Sequence, residues 1–260
     1  MKEKYNRVYL YMSVNRFFIS ATDIEGDRVR LSPEQSHQVC HVLRLKPGDT
    51  IVVLDDSGTE YDVTLTTVDR KETVGRVTSR HRARGEPKVE IALFQSLLAR
   101  EKFEWVLQKG TEVGVAQFVP VLTERSLLRT KTIEENKLDR WRRILTEAAE
   151  QSHRGRIPQL EPILTFENAV LRLRDFDRCI IAAPLEGATT LRDALKDITH
   201  SPASVAVMIG PEGGFTEEEV ALACEKGAVR VGLGPRILRT ETAAMIACAL
   251  VLYELGEMGV

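Results

Sequence analysis

From Val89 onward the chain repeats one phrase: a short apolar run, a turn, then a segment with helical spacing. The runs VEIALF, QFVPVL, CIIAAP, SVAVMIG and VRVGLG read as strands, and helical patterns at about 98–114, 134–153, 190–197, 216–226 and 241–256 separate them. A run that is apolar on both faces has no side to give to water, so it must be covered twice, and strands joined through helices pair in parallel. This grammar predicts an α/β domain with a mainly parallel sheet.

The first eighty residues speak differently. RFFIS, DRVRL, TIVVLDDSG, YDVTLTTV and ETVGRVTS are short strand-like runs broken by turns, with one helical insert at SPEQSHQVCHVLRL. Strands at this spacing predict a small β-barrel. The expected division is a barrel over residues 1–80, a basic linker over 81–88 and the α/β domain over 89–260. With 260 residues, 43% of them hydrophobic, the chain has enough material for two such cores. No apolar run is long enough to cross a membrane, and the mixed charge of MKEKYNRVYLYMSVNRFF does not suit a secretory leader, so a cytoplasmic protein is expected. Met12, just ahead of SVNRFF, is a candidate start, which would make residues 1–11 a dispensable extension.

Two motifs invite a metal and fail. The four cysteines are scattered, with no CxxC pair. His37 and His41 stand at i and i+4 with Cys40 between them, but Gln38 replaces the glutamate of HExxH and no further ligand cluster follows. No metal is expected.

Net charge is −2, so any attraction to nucleic acid must come from local patches. Residues 76–88 hold five Arg/Lys against one acid, and residues 125–156 hold nine against five. Within the latter, Leu138, Trp141, Leu145 and Ala148 form an apolar helical stripe and leave Arg140, Arg143 and Arg154 off it. The tail is the reverse: residues 210–255 carry seven Glu against four Arg/Lys. Its last helix, TAAMIACALVLYEL, is apolar nearly all round, which requires burial by its own sheet or by a second subunit.

In that acidic tail lies IGPEGGFTEEEV, residues 209–220, a glycine loop running into a helix whose Thr216 and Glu219 form a capping box. Helix starts favour anions, yet the Lys-Ser/Thr of phosphate loops is missing, the GxGxxG spacing is absent, and Glu212, Glu217, Glu218 and Glu219 would repel a polyphosphate. A second loop, LGPRILRTETAA at 233–244, repeats the plan, with Thr240 or Thr242 able to cap. Two such loops at the carboxyl ends of consecutive strands line one crevice. An acidic, glycine-lined crevice suits a neutral base and a cationic group, the pairing found in S-adenosylmethionine.

These two loops strongly resemble those of the SPOUT superfamily of RNA methyltransferases, specifically the bacterial family that methylates N3 of a uridine in 16S ribosomal RNA. NRFF, HVLRLKPGD at 41–49, QKGTEVGV at 108–115 followed by PVLTERS, and EAAEQSHRGRIP at 147–158 resemble that family's other blocks, in order. The resemblance implies a PUA-like barrel followed by an α/β domain with a C-terminal trefoil knot, S-adenosylmethionine as donor, and a homodimer. Donor contacts would fall on Ile209, Gly210, Pro211, Glu212, Gly213, Gly214, Leu233, Gly234, Ile237, Leu238, Thr242 and Ala243, and a side chain at Gly213 would fill the donor space. Arg16, His41, Arg44, Lys46, Arg125, Arg140, Arg143 and Arg154 would meet the RNA or the assembled small subunit.

The uracil N3 carries a proton and is a poor nucleophile until it leaves, so a base or an anion-stabilising group is needed. Glu112, Glu150, Glu212 and Glu241 are the carboxylate candidates, and Arg239 is the expected orienting cation. Two alternatives keep parts of this picture: a SPOUT enzyme with another base or ribose target, and a non-catalytic RNA-binding ribosome-assembly protein.

Overall fold

Alternation in the N-terminal stretch produces six strands: β1 (Arg16–Phe18), β2 (Ile24–Glu25), β3 (Arg28–Leu31), β4 (Thr50–Leu54), β5 (Thr59–Val68) and β6 (Thr73–Arg82). The computed structural model describes residues 14–127, 134–183, 188–198 and 203–259; Met12 and the expected extension over 1–11 lie outside them. The chain divides into two units, Met1–Glu86 with Ala149–Ile157, and Pro87–Ala148 with Pro158–Val260.

In the first unit the sheet order is β1-β4-β5-β6-β3-β2, antiparallel except for β1 beside β4. Alternate residues, among them Val29 and Leu31, Ile51 and Val53, and Val63 and Leu65, meet Phe17 and Val39 in one core. Helix α1 (Pro33–His37), started by a Ser32–Gln35 capping box, runs on into a π-helical turn at Gln38–Val42. Leu54 points the other way and packs with Phe18, Ala149 and Ile157. Residues 149–157 are thus part of this unit although its first segment ends at Glu86. Strand β6 reaches Arg82, two residues into the expected linker.

The second unit runs β7 (Glu90–Ser96), α2 (Arg100–Val113), β8 (Val115–Leu122), α3 (Glu135–Gln151), β9 (Gln159–Leu160), β10 (Leu164–Thr165), α4 (Phe166–Leu171), β11 (Arg178–Ala182), β12 (Thr189–Thr190), α5 (Leu191–Leu195), β13 (Ser204–Ile209), α6 (Glu217–Glu225), β14 (Ala228–Gly232) and α7 (Thr240–Glu254). All its strand pairs are parallel, in the order β10-β8-β7-β13-β11-β14-β12 with β9 also beside β8. As the apolar runs require, β7 after Glu90 and β13 after Ser204 are buried throughout. Helices α4 and α6 close one face over Phe94, Val119 and Met208. On the other, α2 packs against α7 and Phe103 stacks on Trp141 of α3 at 4.5 Å. Helix α4 is the element that periodicity does not show: six residues capped by Thr165 are too few for a readable stripe. No helix among the described residues is long and apolar enough to cross a membrane.

Candidate active site

The first glycine loop leaves the carboxyl end of β13 and is held from three directions. Its turn closes through Gly214 N–H donating to the Pro211 carbonyl at 2.9 Å, with Gly214 at φ +68°, a conformation that L side chains rarely adopt. A Cβ on Gly210 would lie 3.1 Å from the Phe215 nitrogen, tight enough that the loop backbone must give way slightly. The expected capping box is formed: Glu219 N–H donates to Thr216 Oγ1 at 3.2 Å and Thr216 N–H donates to Glu219 Oε2 at 2.9 Å. The buried Glu219 carboxylate also accepts from Glu124 N–H at 2.9 Å, which ties the helix start to the segment after β8.

Two cations that sequence reasoning had placed elsewhere or overlooked complete the hold. Arg125 donates to the carbonyls of Gly213 and Phe215 at 2.9 and 3.3 Å. A Cβ on Gly213 would meet the Arg125 side chain at 3.4 Å, an ordinary contact that the fold itself tolerates. Lys102, in the first turn of α2, donates to Glu212 Oε1 at 2.8 Å. Burial alone would raise the Glu212 carboxyl, but the Lys102 bond and charge bring it below the ordinary carboxylate range. The Lys102 ammonium is raised in turn by that bond, with Glu241 adding to the attraction and Arg239 opposing it.

The second loop follows β14 and is built differently. Gly234 adopts φ +96°, and Ile237 stands 94% exposed. Neither Thr240 nor Thr242 caps α7: the cap residue is Arg239, with no side-chain cap bond. Thr240 is buried and its hydroxyl donates to the Gly210 carbonyl instead, while Gln95 Nε2 donates to Thr240 Oγ1 at 3.2 Å.

Between the loops, at the carboxyl edge of the sheet, opens a cleft of about 620 Å³, a size ordinary for small-molecule sites. Ile209 to Gly214, Ile237, Leu238, Arg239, Glu241 and Ala243 line it. Leu233 and Gly234 border an adjoining recess of about 80 Å³. Thr242 is exposed and lines neither. Glu112 is a correction: it is exposed, paired with Lys109 at 2.7 Å, and ten residues along α2 from Lys102, about 15 Å down the axis. Sequence reasoning missed Lys102, Ala182, Ala183, Phe215, Glu217 and Val220, which also face the cleft.

The arginines assigned to RNA divide sharply. Arg16 is buried and paired with the buried Glu60, and Arg154, 2% exposed, pairs with Glu86 at 3.0 Å. Neither presents its charge to a partner molecule. Arg140 is bidentate to Glu104 at 2.7 and 2.8 Å. His41, Arg44, Lys46 and Arg143 are exposed. The rings of His37 and His41 lie 4.7 Å apart, and no cluster of three or more His, Cys, Asp or Glu fit for a metal occurs among the described residues.

A parallel sheet whose carboxyl edge carries two glycine loops, preceded by a small, mostly antiparallel sheet, is the setting in which two family models match. Residues 85–252 match an RNA methyltransferase domain and residues 31–77 an RNA methyltransferase PUA domain, so the class is RNA methyltransferase. The ribosomal RNA small subunit methyltransferase E of Bacillus subtilis is 32% identical over 93% of this chain and 97% of its own. That of Synechocystis is 34% identical over 92% and 77%. The crystal structure of the Neisseria gonorrhoeae ribosomal RNA small subunit methyltransferase E bound to S-adenosyl methionine matches with TM-score 0.82, 31% identity, and 92% and 97% coverage. A putative methyltransferase of Legionella pneumophila in complex with bound S-adenosylmethionine gives 0.81, 32%, and 92% and 97%. This chain belongs to the ribosomal RNA small subunit methyltransferase E family.

Proposed function

We propose that the chain transfers a methyl group from S-adenosylmethionine, held in the cleft between the two glycine loops, to N3 of a uridine in 16S ribosomal RNA. The observation that carries the donor assignment is the cleft's own chemistry. It offers apolar walls from Ile209, Leu238 and Ala243, backbone polar groups at the glycines, and carboxylates at Glu212, Glu217 and Glu241. With Lys102, Arg125 and Arg239 balancing those carboxylates, that set fits an adenine and a sulfonium-bearing amino-acid group of mixed charge. When bound, S-adenosylmethionine supplies an electrophilic methyl group on positively charged sulfur.

The chain's own residues must then free the nucleophile. Of the four carboxylate candidates, Glu112 is far along α2, Glu150 accepts from Phe18 N–H at 2.9 Å in the first unit, and Glu212 is committed to Lys102. Glu241 lines the cleft, and its Oε2 is buried with no hydrogen-bond partner. We assign Glu241 Oε2 to accept the N3 proton, and Arg239 to hold the negative charge that remains on the uracil oxygens. His41, Arg44, Lys46 and Arg143 are the exposed cations we assign to the RNA backbone, which makes binding salt dependent.

Ile246, Leu250 and Tyr253 on α7 are 40%, 38% and 57% exposed and recur at helical spacing. We infer that they form a homodimer contact, and that the threading of the C-terminal segment into a knot and a cytoplasmic location follow the family resemblance. The function is tested by incubating the protein with methyl-labelled donor and small subunits lacking the modification. One label on a uracil N3 is expected; label only on ribose or on another base overturns the proposal.

A further inference from the structure

Three segments far apart in sequence are joined by a single directional chain of hydrogen bonds beneath the cleft. Gln95, next to last in β7, lies beside Ile209, its register partner on β13, and Gly210 follows Ile209 directly. Thr240 opens α7 from the other loop. The Gln95 Nε2 amide donates to Thr240 Oγ1 and, at 3.2 Å, to the Ser96 carbonyl; the Thr240 hydroxyl spends its one proton on the Gly210 carbonyl. Gln95 is 0% and Thr240 6% exposed, so no water replaces these bonds cheaply. The polarity is fixed at each link: Thr240 must accept from Gln95 because its proton is already committed, and only an amide NH2 serves two acceptors.

This placement has a cost that local structure does not return. The cap position of α7 is held by Arg239 without a side-chain cap bond, while the Thr240 hydroxyl at the next position goes to the Gly210 carbonyl. Gln95 Oε1 and Ser96 Oγ are buried without partners. Such groups are few in native proteins, and each calls for a physical reason. The residues that move with Thr240 are Arg239 and Glu241, and the residues that move with Gly210 are the glycine loop.

We propose that Gln95 and Thr240 are positioning residues that set the spacing between the two cleft walls, and thereby the affinity for the methyl donor. The inference rests on the reading of the cleft as the donor site. Gln95 touches neither wall's ligand face; it acts through Thr240. Holding Gly210 and Arg239–Glu241 at one separation preorganises the cleft, so that the free energy of donor binding is not spent on bringing two loops together.

The test measures donor affinity by calorimetry, the KM and kcat for donor, and thermal unfolding, on the full chain. Gln95→Met keeps the volume and removes the donor group; Thr240→Val keeps the shape and removes the hydroxyl. Each is expected to weaken donor binding about tenfold, the size of one lost buried hydrogen bond, with a rise in KM larger than the fall in kcat. Thr240→Ser, which retains the hydroxyl, is expected to restore affinity to within about twofold of the parent, and the Gln95→Met/Thr240→Val double variant to be no weaker than the worse single one, since the chain acts as a unit. Affinity unchanged in both single variants, or Thr240→Ser as weak as Thr240→Val, or additive losses overturn the proposal. A melting temperature lowered with affinity intact assigns the chain to stability alone and also overturns it. If the parent protein itself fails to bind S-adenosylmethionine, the donor reading falls with it; if the parent binds and the variants bind equally, only the positioning role falls.

Discussion

The two glycine loops look like copies in the sequence and are opposites in the structure. The loop at 209–216 is fixed by its own vicinity: a capping box, a buried carboxylate shared with Glu124, and two cations clasping its carbonyls and its glutamate. The loop at 233–239 has no side-chain cap, carries a nearly fully exposed isoleucine, and is joined to the rest through Thr240. One wall of the cleft is built in advance and the other is placed against it. The first wall is thus a reference surface, and the Thr240 bond to the Gly210 carbonyl is what fixes the second wall against it.

The largest break in this contrast is expected at Glu219. Glu219→Ala removes a charged acceptor from two backbone N–H groups and should lower stability by about 2–3 kcal/mol, read from urea unfolding of the full chain; a loss below about 0.5 kcal/mol would show that the first loop is not self-supporting. Next is Gly210→Ala. Its new methyl meets backbone at Phe215 and Gly214, so the loop must shift, and donor affinity should fall roughly tenfold or more with a smaller change in stability. In the second loop, Ile237→Ser should leave unfolding within about 0.5 kcal/mol of the parent because the side chain is already in water, while raising KM for donor or RNA; equal kinetics would remove Ile237 from the site.

The smallest expected effect is with pH. The Glu212 carboxyl is held below its ordinary range in the folded protein, so its contribution is complete above the unfolded value of about 4.3 and is lost as pH falls through the folded value. Donor binding should thus be flat from pH 8 to about 5 in so far as it depends on this pair, and Glu212→Gln should remove the acid loss that appears below. A clear midpoint near neutrality that persists in Glu212→Gln would point to another group. Because both partners are about one-third exposed, solvent screens the pair and the effect is modest.

The sequence displays features that are local and hides those that are assembled. Thr216 and Glu219 are three residues apart, and their box was legible for that reason. The strand ends are another matter. Gln95, Ala182 and Ile209 come together because the sheet order is β7-β13-β11, and no periodicity encodes which strands become neighbours. Lys102 was overlooked because a lysine near a helix start is ordinary until Glu212 is seen opposite it. The error with Arg16 has the same root: a sequence shows a charge without its partner, and Glu60 lies 44 positions away. The glycine loops and ordered blocks carried the family; the pairing of buried ions across the chain did not show.

The return of Ala149–Ile157 to the first unit bears on how the protein is made. Synthesis runs from the N-terminus, and small domains often fold as soon as they emerge. Here Leu54 and Phe18 wait uncovered until Ile157 has left the ribosome, long after the sixth strand is complete. The early unit is thus a nascent chain with an unfinished apolar surface, and a fragment cut at Glu86 would inherit the same sticky face permanently.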